Sequence, residues 1–340
     1  MKIINYLRHR RDSAFLLAAF VCLLLALFKP TIPLKHNIYS YILVADISQS
    51  MNVIDMKLDG KPASRIAYTQ RMMHDVISSL PCGTTVSIGL FAGVSVAALY
   101  TPIEVCSNFD ALQDTIDHLD WRTAWSGNSR VRESLFTLAR VIRTFPDPAQ
   151  VVYFTDGEEA PKLHAFNTKN LEEFQGGSGW LFVGIGDPSK GTEIPKFDEE
   201  NQLIGFWSNE SFAMQPGIAQ ISEANLGVRD DNVAGENDRY LSHVDEEYLK
   251  SITKEIEANY VLGSSLDNVI QAMKKQKPAR NDIAPFLLSP LLAVLAALFV
   301  IAAYLPKHPI TVFKTQLPIA LNRIKAKLIR GKLPPAQTHA

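Results

Sequence analysis

The sequence predicts a Rossmann-like, doubly wound α/β fold with a mostly parallel sheet, bracketed by two transmembrane helices. Three observations carry this. Tyr39–Ala45 is too continuously apolar for an edge of an exposed sheet and reads as a fully buried strand, Val151–Thr155 reads as another short buried strand, and Trp180–Gly186 as a further strand. Segments with apolar residues at helical spacing alternate with them, which is the pattern of an open parallel sheet covered by helices. Two of the strands run straight into acid, Asp46 and Asp156, at the carboxyl ends where such a sheet carries its site.

Composition sets the bounds. With 340 residues, 47% of them apolar and only 3 cysteines, the chain is neither disordered nor a disulfide-dense scaffold. The net charge of -1 hides an asymmetry: eleven bases and one acid lie in residues 1–12 and 306–340, leaving 23 bases against 34 acids between. The basic ends flank two apolar segments, Ala14–Phe28 and Ala284–Leu305. The second has the ~20 residues that a membrane-crossing helix needs. The first lacks a small-residue cleavage site, so an uncleaved anchor is expected. The positive-inside bias then puts both termini in the cytoplasm. The expected protein is a two-pass bacterial inner-membrane protein with its central domain in the periplasm. Its parts are a basic N-terminus (1–12), an anchor (13–29), the domain (38–260), a linker (261–283), a second span (284–305) and a basic tail (306–340).

Along the chain, Ser64–Leu80 is a predicted helix with Ser64 as cap and Pro81 as stop. Thr84–Ala92 and Ser95–Ile103 form a hairpin about a Gly93-Val94 turn. That register brings Cys82 and Cys106 together, and an oxidising compartment predicts a disulfide. Asn108–Leu119 is a short amphipathic helix, and Asp120–Asn128 is a loop holding Trp121, Arg122 and Trp125. Ser129–Phe145 is the clearest helix, with Val131, Leu135, Leu138, Ile142 and Phe145 in steps of four and three. A polar helix over Pro161–Phe174, a hairpin over Gly191–Trp207, a long polar loop over Asn209–Arg239 and a closing helix over Asp245–Ile256 complete the domain. In the tail, Ile310–Leu333 is a basic amphipathic stretch.

The chemistry lies where the strands end. Asp46-x-Ser48-x-Ser50, Ser129 in the turn opening the clearest helix, and Thr155-Asp156-Gly157 fall on one rim if the sheet is parallel. Alternation after the first strand puts Ser48 and Ser50 on the side of Asp46. Hydroxyls and carboxylates suit a hard divalent cation, Mg²⁺ or Ca²⁺, whereas zinc favours His or Cys, and the 8 histidines show no paired metal spacing.

This pattern resembles the von Willebrand factor type A (VWA) domain with its metal-ion-dependent adhesion site (MIDAS). The resemblance covers about residues 38–260 and implies direct ligation by Ser48 and Ser50, carboxylates from Asp46 and Asp156, and Ser129 at a position that the family fills with Thr. It also implies that a partner carboxylate completes the coordination, with Arg122, Trp125, Glu158 and Glu159 on the partner-binding rim. Gly191-x-x-Ile194-Pro195, Leu203-Ile204-Gly205 and Tyr240-Leu241-Ser242 are similar to the bacterial aerotolerance (Bat) proteins. The chain length and the stretch from Phe91 to Trp125 look closer to the VWA accessory proteins of methanol dehydrogenase gene clusters. That implies calcium insertion into, and maturation of, a pyrroloquinoline-quinone methanol dehydrogenase as client, beside a MoxR-type ATPase and other VWA membrane proteins. The alternative is a Bat-like envelope-stress subunit acting with such an ATPase. No nucleic-acid partner is expected, and no enzyme: the sequence has no Gly-x-Ser-x-Gly elbow and no P-loop.

Overall fold

A computed structural model describes residues 11–127, 129–163, 168–198, 200–209 and 233–304. The chain divides into two compact units, one of residues 37–282 and one drawn from the segments on either side.

The larger unit is built on a seven-stranded sheet. Its strands are β1 (Ser40–Asp46), β2 (Thr85–Ala92), β3 (Ser95–Ala98), β4 (Ile103–Glu104), β5 (Gln150–Thr155), β6 (Leu181–Gly184) and β7 (Asn259–Leu262). Their order is β7-β6-β5-β1-β2-β3, with β4 also pairing with β2. The four pairs from β7 to β2 are parallel, and only β3 and β4 run antiparallel. The sheet is therefore mixed, with the hairpin forming its antiparallel edge.

Every residue of β1 is buried, which explains why it carries no polar alternation. Its side chains divide between two cores. Tyr41, Leu43 and Ala45 pack with α1 (Arg65–Ser79), α2 (Phe109–Asp117) and a later helix, while Ile42 and Val44 pack with α3 (Val131–Ile142) and α4 (Glu246–Glu255). The later helix is α5 (Leu266–Met273), anchored by Val269 and Met273. Ser64 caps α1 by accepting from Ala67 N at 3.2 Å. β1 has β5 on one side and β2 on the other, so the crevice at its carboxyl end lies where the strand order reverses.

A disulfide joins Cys82 to Cys106 with the Cα atoms 5.2 Å apart. The hairpin register runs from Ala92↔Ser95 to Gly89↔Ala98, and the Glu104 carboxylate accepts from Gly83 N at 2.7 Å beside the bridge.

Several expectations need correction. Of the helix expected over Pro161–Phe174, residues 164–167 lie outside the described residues, and residues 161–163 and 168–174 are not helical. Leu171 and Phe174 are its only apolar anchors there, too few for an amphipathic stripe. The segment read as a linker from 261 instead contributes β7 and α5. Gly191–Trp207 is more than one hairpin: Thr192–Glu193 pairs with Leu241–Ser242, and Pro195–Phe197 with Leu203–Phe206. Most of the Asn209–Arg239 loop, and the 310–333 stretch of the tail, lie outside the described residues.

In the other unit, helices Arg11–Leu27 and Ser289–Tyr304 pack through Ala19, Cys22 and Ala296, with Phe15 stacked on Phe299. The expectation of a two-pass inner-membrane protein is overturned here: among the described residues no helix is long and apolar enough to cross a membrane. The helices have 17 and 16 residues. At ~1.5 Å per residue each reaches about 25 Å, short of a ~30 Å hydrocarbon core. The apolar run counted from Ala284 is divided. Arg280–Leu287 is a strand paired with Thr31–Ile38, and the helix begins only at Ser289.

Candidate metal centre

Asp46 ends β1, and the chain turns at once. Ser48 N donates to Asp46 Oδ1 at 2.9 Å, and a 3-10 turn over Gln49–Asn52 follows. This turn, rather than strand alternation, sets Ser48 Oγ and Ser50 Oγ 3.2 Å apart. Thr155, the last residue of β5, donates its hydroxyl to Asp46 Oδ2 at 2.6 Å and accepts from Gly157 N at 3.0 Å. Both Asp46 oxygens are thus held by the protein. Asp156 is held the same way: Oδ1 accepts from Glu158 N at 2.9 Å and Oδ2 from the Arg65 guanidinium at 2.8 Å.

Ser129 joins this rim through its backbone. It exchanges hydrogen bonds with Ala160 and forms a bridge with Gly93, which ties it to the Asp156 loop and to the end of β2. Its Oγ is buried, at 2% residue exposure, with no hydrogen-bond partner. Buried hydroxyls are nearly always paired, so an orphan of this kind marks a place where a ligand atom is expected. Asp46, Ser48, Ser50 and Asp156 are equally buried, between 0% and 2%.

Three residues that sequence reasoning missed, Arg65, Asp55 and Ser242, complete the constellation with Thr155. Arg65, at 0% exposure, makes a bidentate pair with Asp55 and also donates to Asp156, Ser242 Oγ and Ser50 O. Thr155 orients Asp46. The signal for Arg65 was present: it shares the buried stripe of α1 with Thr69, Met72, Met73 and Val76, where a charge requires a partner. No spacing in the sequence points to Asp55 or Ser242.

The expected rim divides. Arg122 pairs with Asp120 at 2.7 Å in solvent, and Trp125 is 46% exposed. Glu158 and Glu159 are not on the surface. Glu158 accepts from Tyr240 Oη and His243 N, both at 3.3 Å, and Glu159 accepts from Tyr248 Oη at 2.6 Å and Arg132 N at 2.9 Å. Each acid satisfies buried donors that a solvated loop would leave to water, so these two side chains brace the Asp156 loop.

The acids outnumber their countercharge. Burial, followed by repulsion from Asp156, raises Asp46 to about 7, against the bonds from Ser48 and Thr155. Burial and then Asp156 push Glu158 the same way. A carboxyl raised on folding binds more protons in the folded chain, so its stabilising effect is complete below the unfolded value near 4 and is lost as pH rises through the folded one. The chain is therefore expected to melt at lower temperature at pH 8 than at pH 5 in the presence of a chelator; a melting series at the two pH values checks this. Glu104, lowered to about 2 by its bonds from Gly83 and Ser107, acts only at more acid pH and does not offset it.

The donor set fits a hard cation. Three hydroxyls, one of them orphaned, and two carboxylates form a buried, oxygen-only group, which suits Mg²⁺ or Ca²⁺.

Comparison with known proteins agrees at the level of the domain. Residues 41–159 match the von Willebrand factor type A domain. The chain is similar to the UPF0353 protein of Mycobacterium sp. strain KMS, 28% identical over 176 residues covering 48% of each chain, and to that of Mycolicibacterium paratuberculosis, 26% identical over 168 residues covering 46% of each. It therefore spans about half the length of the curated relatives that it matches. Among solved structures it is similar to the BatB protein of Bacteroides thetaiotaomicron, with a TM-score of 0.48, 16% identity and coverage of 70% of this chain and 98% of that one. An aerotolerance-related membrane protein of Bacteroides fragilis gives 0.46 at the same identity and coverage. At such scores neither likeness bears on function. What the comparisons show is thus a likeness of residues 41–159 to the von Willebrand factor type A domain, a stretch that contains five of the seven strands of the sheet.

Proposed function

We propose that the chain is a binding protein, not a catalyst, whose rim holds Mg²⁺ or Ca²⁺ through Ser48, Ser50 and Ser129, with Asp46 and Asp156 behind them. When bound, the cation supplies an electrophilic position for an anionic oxygen, and the proposed occupant is a carboxylate of a client protein. The chain's own residues do the rest. Thr155 and Ser48 N orient Asp46, Glu158 N and Arg65 orient Asp156, and the exposed Trp125 and Arg122 offer apolar and cationic contact beside the opening. The observation that carries this reading is the orphaned Ser129 Oγ within a buried set of oxygen donors.

The client that the sequence resemblance suggests is a pyrroloquinoline-quinone methanol dehydrogenase, with this chain an accessory factor for its calcium loading. Affinity capture with wild type and Asp46→Ala, with and without chelator, tests both levels. Methanol dehydrogenase subunits recovered with wild type and lost with the variant or the chelator support the reading. Recovery of a MoxR-type ATPase or of other VWA proteins equally in all arms shows that the grip does not use the cation, and favours a Bat-like complex subunit.

A further inference from the structure

Arg65 is placed where a catalogue of metal ligands has no role for it. It is fully buried at the start of α1, yet its guanidinium reaches the segment after β1, the loop after β5 and the strand at Ser242. It pairs with Asp55 at 2.7 Å and Asp156 at 2.8 Å, and donates to Ser242 Oγ at 2.7 Å and Ser50 O at 3.4 Å. Asp55 in turn accepts from Asp187 N at 3.1 Å. Backbone has been cleared for it: Gly186 has φ +134°, and a Cβ there would come within 2.8 Å of Arg65 Nε. The acids around it are Asp55, Asp156 and Glu158, so one positive charge serves three carboxyls, with Asp46 beside Asp156. The second, independent mark of a ligand position is the unpaired Ser129 Oγ on the same rim.

We propose that Arg65 is a resident counter-cation and positioning residue of the centre: it engages Asp156 Oδ2 so that this carboxylate stands behind the cation position, and it lowers the affinity of the rim for divalent cations. The inference rests on the cation-binding reading above and adds what sets the strength of that binding. With Asp156 engaged by Arg65 and Asp46 by Ser48 N and Thr155, the groups left to face the cation are neutral hydroxyls. A cation bound mainly by neutral oxygens keeps enough positive charge to attract an anionic ligand, so Arg65 trades cation affinity for attraction to the client's carboxylate.

The test is a titration of the full chain with Mn²⁺ alone, read from the electron-paramagnetic signal of free Mn²⁺, with circular dichroism to show that each variant is folded. Arg65→Met removes the counter-cation and tightens Mn²⁺ binding about tenfold, the scale expected of a unit charge several ångströms away at an effective dielectric of ~20. Arg65→Lys keeps the charge and stays within about threefold of wild type. Asp55→Asn takes a negative charge from the cluster, leaves Arg65 to Asp156, and weakens binding about threefold or more. A purely structural role would weaken binding in both Arg65→Met and Asp55→Asn, whereas the proposal moves them in opposite directions. It is overturned if folded Arg65→Met binds no more tightly than wild type or, should that variant not fold, if Asp55→Asn binds as tightly as wild type or more so. Wild type that binds no Mn²⁺ sinks the cation-binding reading and this inference with it; wild type that binds while the variants fail these expectations sinks the inference alone.

Discussion

If the proposed cation binding holds, Mg²⁺ or Ca²⁺ raises the melting temperature of the wild-type chain and Asp46→Ala abolishes that rise. A ligand that binds only the folded state at one hundred times its dissociation constant adds about 2.7 kcal/mol. For a domain of this size that is a rise of roughly 5–10 °C in melting temperature. The variant loses more than one carboxylate. Ser48 N and the Thr155 hydroxyl both donate to Asp46, so its removal also frees the turn that sets the two serine hydroxyls side by side. Without cation the variant melts below wild type, since Ser48 N and the Thr155 hydroxyl, both buried, lose their acceptor at a cost of about 1–3 kcal/mol each. Melting curves with and without cation separate the two effects. A variant that still gains the full increment would show that the cation binds elsewhere.

Gly157→Ala has the second large effect, through packing. Gly157 has φ +76°, and a Cβ built there lies 2.6 Å from Leu249 Cγ on α4, a buried side chain. The left-handed backbone costs Ala about 1–2 kcal/mol, and relieving the collision with Leu249 adds a similar amount, roughly 3 kcal/mol together. The collision also pushes apart two elements joined by Asp245 N donating to Asp156 O at 2.8 Å, so the Asp156 loop moves with α4. The expected result is a melting temperature lower by roughly 6–12 °C and a reduced response to cation. Gly157→Ala with Leu249→Ala relieves the collision but not the backbone strain. If the double variant recovers no cation response, the coupling between helix and loop is not steric.

How much of this was legible in the sequence depends on the kind of signal. β1, β5 and β6 are buried on both faces, so they read as unbroken apolar runs, and their acids stood out because the runs end there. Ser129 was found by its place in a turn before a strongly periodic helix. β7 was missed because a four-residue edge strand that begins at Asn259 carries almost no periodicity. Glu158 and Glu159 were read as surface because carboxylates usually are, and only tertiary structure supplies the donors that bury them. The two apolar flanks were judged by summed hydrophobicity, which does not show that Arg280–Leu287 is extended before the helix starts.

The small ribbon beside the rim has a consequence for how such a chain can diversify. Thr192–Glu193 pairs with Leu241–Ser242, Trp207 N bonds to Ile194 O, and Tyr240 N to Trp207 O, so the two ends of the intervening stretch are stitched together over a cluster of Val53, Ala160, Ile194 and Tyr240. Closing a longer loop between ends that already meet costs only about 0.6 kcal/mol per doubling of its length. The Ser208↔Arg239 bridge therefore fixes where the chain leaves and rejoins the domain, and the ends meet there whatever lies between them. A change of length between these two ends is expected to leave the melting temperature of the chain within about a degree or two of wild type.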